Sequence, residues 1–177
     1  MSTNVQLVRS LDDVGAADIG EVGSKAATLG ELKRAGFPVS EGFILTTEAL
    51  AKALAGAGLD ATAGPEDVEG MSLTADLVTA LGAATERLGS GPFAVRSSGV
   101  AEDLPGASYA GQYETVLNVA AKDVPEAVRH CWASAFSQRV GAYRQYKGSA
   151  VQAAMAVLIL PTGAGRRCHR ERDCSAA

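Results

Sequence analysis

The sequence has few aromatic residues, no long apolar run and no excess of positive charge. Aromatic residues make up 5% of the chain, so helix packing must rely on Ala, Val and Leu. No stretch reaches about 18 uninterrupted apolar residues, so we predict no membrane span. The formal net charge of −4 argues against a nucleic-acid partner, because nucleic-acid-binding surfaces usually carry a basic excess.

The cysteines do not form a regular pattern either. Cys131, Cys168 and Cys174 are an odd set without periodic spacing, which disfavours the disulfide framework of a secreted protein. The first residues lack a basic segment followed by an apolar run, so we expect no signal peptide and a cytoplasmic location. Cys168, His169 and Cys174 could ligate zinc, but a fourth ligand is missing and we expect no metal there. His130 and Cys131 are neighbours on a predicted helix and should point in different directions, which disfavours a nucleophile–base pair.

Short apolar segments alternate with amphipathic helices along most of the chain. This alternation predicts an α+β (mixed α/β) fold. Predicted strands cover residues 6–9, 42–46, 93–96, 113–119 and 155–160. Predicted helices begin near Ser24, Glu48, Thr74 and Asp123, and end near Gly36, Ala55, Gly89 and Gly148; residues 56–70 and 97–110 are predicted loops.

The composition changes abruptly after Leu160. The last 17 residues contain four arginines and two cysteines and have no hydrophobic periodicity. We therefore expect one domain at residues 1–160 and an arginine-rich, aberrant or disordered tail at 161–177.

Lys25 lies in the predicted first turn of a helix, directly after Gly23 and Ser24. Backbone N–H groups and the helix dipole make that position attractive to anions, and a lysine there is unfavourable unless an anion lies between. The alternative is a solvated lysine whose ammonium group turns away from the helix. The spacing is not that of a Walker A loop.

Arg96 ends a predicted buried strand and is followed by two serines and a glycine. A guanidinium group at such a position is suited to binding phosphate oxygens. The alternative is an ion pair with Glu102 or Asp103 in the following loop. Those two carboxylates could themselves be a metal-binding or general-base pair, although adjacent loop carboxylates are more often solvated.

Several long strings occur in a distinctive order. They are VGSKAATLGEL at residues 22–32, AGFPVSEGF at 35–43, FAVRSS at 93–98, AEDLP at 101–105, ASYAGQ at 107–112, and CWASAF at 131–136 with the following Arg139, Tyr143 and Arg144. Together they closely resemble the N-terminal domain of the pyruvate phosphate dikinase and phosphoenolpyruvate synthase family. Rifampin phosphotransferases share this domain, and the resemblance covers about residues 5–160.

The resemblance implies an ATP-grasp nucleotide-binding domain whose ATP phosphorylates a histidine on a separate domain. That histidine would then pass the phosphoryl group to pyruvate or to rifampin. Carried over by position, Lys25 and Arg96 are the expected phosphate-contacting cations. Gly111, Gln112 and Thr115 are expected beside the nucleotide, and residues 97–110 as a flexible segment over the phosphates. The ligands of Mg²⁺ are expected in a second lobe.

The resemblance ends at Leu160, where the family continues with a glutamine and an apolar, glycine-containing stretch. Here Pro161 and Thr162 lead into the arginine-rich tail, as a frameshifted or prematurely ended reading frame would. We therefore expect an N-terminal lobe that is inactive alone, and a partner polypeptide could carry the missing lobe and histidine domain. A non-catalytic module that binds nucleotide or a partner remains the alternative.

Overall fold

A five-stranded, wholly antiparallel sheet forms the centre of the molecule. The structure is a computed structural model and describes residues 6–60, 62–100, 114–136 and 154–162. The strand order is β1-β2-β5-β3-β4, so the last of the described strands lies between β2 and β3. The strands are β1 (Val8–Ser10), β2 (Phe43–Leu45), β3 (Phe93–Gly99), β4 (Thr115–Val119) and β5 (Met155–Pro161).

Helices cover both faces of this sheet. Those in the described part of the chain are α1 (Ile19–Arg34), α2 (Thr47–Ala57), α3 (Pro65–Gly70), α4 (Ala75–Leu88) and α5 (Val124–Ser134). Helix α1 packs on one face against a small core that includes Ile44, Ala156 and Leu158. The larger core lies on the other face, where α2 to α5 pack on Phe93, Val95 and their neighbours. None of the helices in the described part of the chain is long and apolar enough to cross a membrane.

The predicted α+β fold is confirmed, and the predicted strands all occur with small shifts of their ends. Three local predictions were wrong. Residues 56–70 are not a continuous loop, because Pro65 at the first position of α3 favours a helical turn there. Strand β3 continues to Gly99, so Ser97, Ser98 and Gly99 belong to the sheet and not to a loop. Helix α5 ends at Ser134, far before Gly148, and residues 137–148 lie outside the described residues.

Helix α1 is interrupted at Gly23, whose φ of 74° and ψ of 166° are not helical. The uninterrupted part of the helix therefore begins at Ser24, which confirms the predicted start. This break places Ser24 and Lys25 in a first helical turn although α1 as a whole begins at Ile19.

Candidate functional site

The first turn of α1 after Gly23 is joined to the end of β3 by hydrogen bonds. The backbone N–H of Ala26 donates to Ser98 Oγ at 3.2 Å, and Ser24 Oγ donates to the Gly99 carbonyl at 3.2 Å. Ser24 and Ser98 are buried. The helix start therefore does not present all its N–H groups to an anion, because the Ser98 hydroxyl already accepts from one of them.

Lys25 extends from this turn toward the residue that follows Arg96. Its Nζ donates to the Ser97 carbonyl at 3.3 Å, and the side chain is half-buried. Contact with β3 rules out the interpretation of Lys25 as a solvated lysine that turns away from the helix start. Both cations therefore belong to one corner of the molecule, where the uninterrupted part of α1 begins at Ser24 and β3 ends.

Arg96 lies on the face of the sheet that α1 packs against. Its register partners are Leu158 on β5 and Thr115 on the edge strand β4. Directly paired residues of antiparallel strands share a face, so Arg96 and the exposed Thr115 are neighbours on the same side. Arg96 is half-buried, and its Nε is enclosed with no hydrogen-bond partner among the residues that the structure describes.

Ser97 fixes the point at which the chain returns to the sheet before β4. Its backbone N–H and its Oγ both donate to the Glu114 carbonyl, at 3.1 and 2.9 Å. The Cys131 thiol lies beneath the same point, 3.6 Å from the Val95 carbonyl and 3.8 Å from that of Glu114. Burial raises the pKa of Cys131 to about 12; the Glu114 charge acts in the same direction, whereas the Lys25 charge opposes it.

A family model described as "Pyruvate phosphate dikinase, AMP/ATP-binding domain" matches residues 65–164. The chain belongs to this family. The matched segment includes β3 and β4, and so both Arg96 and Thr115. A nucleotide-binding family is consistent with two cations at one corner of a sheet, because phosphate groups require positive charge.

Curated proteins of related sequence support the membership of the chain in this AMP/ATP-binding domain family. A probable phosphoenolpyruvate synthase of Methanothermobacter thermautotrophicus is 34% identical over 174 residues, covering 80% of this chain and 25% of the relative. A rifampicin phosphotransferase of Streptomyces sp is 41% identical, covering 81% of the chain and 19% of the relative. The prodigiosin synthesizing transferase PigC of Serratia marcescens is 37% identical, with coverage of 88% and 18%. The chain therefore spans a quarter or less of the length of these three relatives.

Five residues of the chain are predicted to contact the nucleotide, and the structure places three of them close together. Lys25, Arg96 and Thr115 lie around the end of β3, whereas Gly111 and Gln112 lie outside the described residues. Glu102 and Asp103, the expected partners of Arg96 in the alternative interpretation, also lie outside them. The Arg96 ion pair therefore stays a prediction.

Sequence reasoning missed the hydroxyl groups that connect these residues. Ser24, Ser97 and Ser98 are fully or nearly fully buried. Ser24 is hydrogen-bonded to β3, Ser97 to the residue before β4, and Ser98 to α1. The signal was present in the sequence: two serines follow Arg96 at the end of a predicted buried strand, and glycine and serine precede Lys25. Serines inside a buried segment need partners, and this need would have predicted such contacts.

The candidate metal and nucleophile sites can be tested in part. Across residues 6–60, 62–100, 114–136 and 154–162, no three His, Cys, Asp or Glu side chains form a group that could hold a metal. Cys168, His169 and Cys174 lie outside these ranges. His130 contacts Glu69 at 2.8 Å on the surface whereas Cys131 is buried, so the prediction that the two residues point apart is confirmed.

Proposed function

We propose that Lys25 and Arg96 bind the phosphate groups of ATP, with Thr115, Gly111 and Gln112 beside the nucleotide. The observation that carries this proposal is the contact between Lys25 Nζ and the carbonyl of Ser97, the residue after Arg96. This contact brings a lysine and an arginine from distant parts of the sequence to one corner of an AMP/ATP-binding family domain. Lysine supplies a compact charge and arginine a planar fork of donors, and the two together suit a polyphosphate.

The role of these residues would be to position and neutralise the phosphates. Phosphoryl transfer depends mainly on alignment and on stabilising charge, so the chain needs no nucleophile of its own at this corner. Mg²⁺ would accompany ATP, with its ligands supplied from outside the described residues. We further propose that residues 1–160 form the N-terminal lobe of an ATP-grasp domain and residues 161–177 a separate tail.

The complete reaction would use a histidine on another domain as the first phosphoryl acceptor and pyruvate or rifampin as the second. The named relatives differ in this respect, since one is a phosphoenolpyruvate synthase and another a rifampicin phosphotransferase. We propose that the 177-residue chain alone, in the cytoplasm, does not complete this reaction, because it spans only a small fraction of those relatives. The parts of the relatives that lie beyond this sequence would supply the second lobe and the histidine domain, on the same polypeptide or on another.

ATP binding by the purified chain tests the nucleotide site directly. Isothermal titration calorimetry with ATP should detect binding to the wild type, and Lys25→Met and Arg96→Leu should each weaken it about 10- to 100-fold. This range corresponds to the loss of one charge-assisted hydrogen bond to phosphate. The controls are Lys52→Met and Arg87→Leu, which remove the same charges from α2 and α4 and should change affinity less than about twofold.

No ATP binding by the wild type, or equal affinity in Lys25→Met, would overturn the proposed site. The second candidate function is a non-catalytic module that binds a nucleotide or a partner. Phosphate release assays separate the two candidates. ATP turnover that appears only when a polypeptide bearing the other lobe is added supports the phosphotransferase, whereas tight ATP binding without turnover in that mixture supports the binding module.

A further inference from the structure

We propose that Ser97 and Ser98 are positioning residues of the nucleotide site. Each would fix a different segment of the chain that carries a residue proposed to contact ATP. Ser98 would hold the first turn of α1 after Gly23, and with it Lys25. Ser97 would hold the start of β4, and with it Thr115. The inference rests on the proposed function, because it assumes that Lys25 and Thr115 contact ATP.

Ser98 connects β3 to the helix start that carries Lys25. Its Oγ accepts the N–H of Ala26, the residue after Lys25, in a position where helix amides otherwise lack partners. The adjoining bond from Ser24 Oγ to the Gly99 carbonyl joins the same two segments. The direction in which Lys25 leaves the helix is therefore set by the end of β3.

Ser97 connects β3 to the residue that precedes Thr115. Its Oγ and its backbone N–H both donate to the Glu114 carbonyl. The backbone bond belongs to any residue at this position, but the second bond requires a hydroxyl. Two bonds to one carbonyl restrict the peptide between Glu114 and Thr115, and so the orientation of Thr115 beside Arg96.

Strand geometry explains why two consecutive serines reach two different elements. Successive side chains of a strand point to opposite faces. Ser97 is paired with Val157 of the larger core, whereas Ser98 is paired with Ala156 of the smaller core under α1. Both serines are fully buried. An apolar side chain at either position would need no hydrogen-bond partner. Instead, the Ser98 hydroxyl accepts from the Ala26 N–H beside Lys25, and the Ser97 hydroxyl donates to the Glu114 carbonyl beside Thr115.

Double-mutant cycles on ATP affinity test this assignment. Ser98→Ala should weaken ATP binding about 5- to 10-fold in the wild type but less than twofold in a Lys25→Met background, because its effect passes through Lys25. Ser97→Ala should show the same coupling to Thr115→Val. The crossed pairs, Ser97 with Lys25 and Ser98 with Thr115, should be additive, because Lys25 contacts the backbone carbonyl of Ser97, which Ser97→Ala retains. Residual binding in the weak variants can be followed by NMR titration with millimolar ATP.

A structural measurement accompanies the cycles. Hydrogen exchange of the Ala26 amide should become at least about 10-fold faster in Ser98→Ala and stay unchanged in Ser97→Ala. Thr85→Ala is the matched control, since it removes a buried hydroxyl that donates to the Leu81 carbonyl within α4. It should lower stability without changing ATP affinity or Ala26 exchange. If a serine variant does not fold, Ser24→Ala replaces Ser98→Ala and Ser97→Cys replaces Ser97→Ala.

The outcomes separate the two proposals. Absence of ATP binding by the wild type overturns the proposed function and this inference with it. ATP binding that depends on Lys25 but is unchanged by both serine variants overturns the inference alone. The inference also fails if each serine variant is additive with its assigned partner, since uniform destabilisation and not positioning would then account for its effect.

Discussion

Gly23 and Ser98 are packed so closely that no side chain fits between them. A Cβ placed on Gly23 would lie 2.1 Å from the Ser98 carbonyl oxygen and 2.5 Å from its carbonyl carbon. The φ of 74° and ψ of 166° at Gly23 also fall in a region that is essentially restricted to glycine. The start of the Lys25 helix can therefore contact the end of β3 only because residue 23 is a glycine.

Gly23→Ala should accordingly lower the free energy of unfolding by about 2–4 kcal/mol, because backbone strain and the contact with Ser98 add together. Chemical denaturation followed by circular dichroism measures this change. Gly20→Ala is the control on the same helix, where an added Cβ meets nothing within 4 Å. Its effect should be neutral or stabilising by up to about 1 kcal/mol, since alanine is the better helix former. Equal effects of the two substitutions would contradict the close packing described for Gly23.

The position of Lys25 in a first helical turn could be predicted from sequence, but its surroundings could not. Gly23 and Ser24 indicated the helix start, and the structure has that start at Ser24. The contact with the Ser97 carbonyl joins residues 72 positions apart in the chain. Local spacing gives no information on such a pairing, because it depends on how α1 packs across the sheet.

Strand lengths show a related limit. The short apolar run before Arg96 indicated β3 only as far as that residue, because Ser97, Ser98 and Gly99 are polar or small. The strand continues because Ser97 and Gly99 pair with Val157 and Met155 of β5. Tertiary pairing thus overrides a composition that is typical of a loop.

Trp132 provides a second prediction. Its side chain is completely buried in the larger core, and its Nε1 has no hydrogen-bond partner among the described residues. Trp132→Phe removes that unpaired N–H together with some volume, and should cost less than about 1.5 kcal/mol. Trp132→Ala should cost about 3–5 kcal/mol, because it leaves a large cavity. Urea unfolding followed by far-ultraviolet circular dichroism compares the two variants, and a Phe variant as unstable as the Ala variant would show that the indole N–H has a partner.

Asp18 should make stability depend on pH in the acid range. Its Oδ1 accepts from Arg9 Nη1 at 2.7 Å and its Oδ2 from the Gly15 N–H at 2.9 Å. These bonds, the one from Arg9 first, lower the pKa of Asp18 below 3.8. The carboxylate therefore stabilises the fold above its unfolded pKa, and the contribution is lost as the pH falls through the lower folded pKa.

Asp18→Asn should thus reduce the free energy of unfolding by about 1–2 kcal/mol at pH 7, and the difference from wild type should shrink below about pH 4. Asp76→Asn is the control, because its exposed pair with Lys52 is worth less than about 0.5 kcal/mol. Thermal unfolding from about pH 2.5 to 7 gives both curves. A difference between Asp18→Asn and wild type that stays constant over this range would refute the role given to the Asp18 carboxylate.

Cys131 should be chemically inert in the folded protein although it lies beside the proposed nucleotide site. Its thiol is buried and its pKa is raised to about 12, so the thiolate fraction near pH 8 is on the order of 1000-fold below that of an ordinary cysteine. Alkylation by iodoacetamide, followed by peptide mass spectrometry in a Cys168→Ser/Cys174→Ser background, should leave Cys131 unmodified in buffer and modify it fully in urea. Adding ATP should not change this result, because burial under β3 protects the thiol whether or not Lys25 contacts phosphate. Rapid modification of Cys131 in the folded chain would instead mean that α5 separates readily from the end of β3. The corner that holds Lys25 and Arg96 would then open as well.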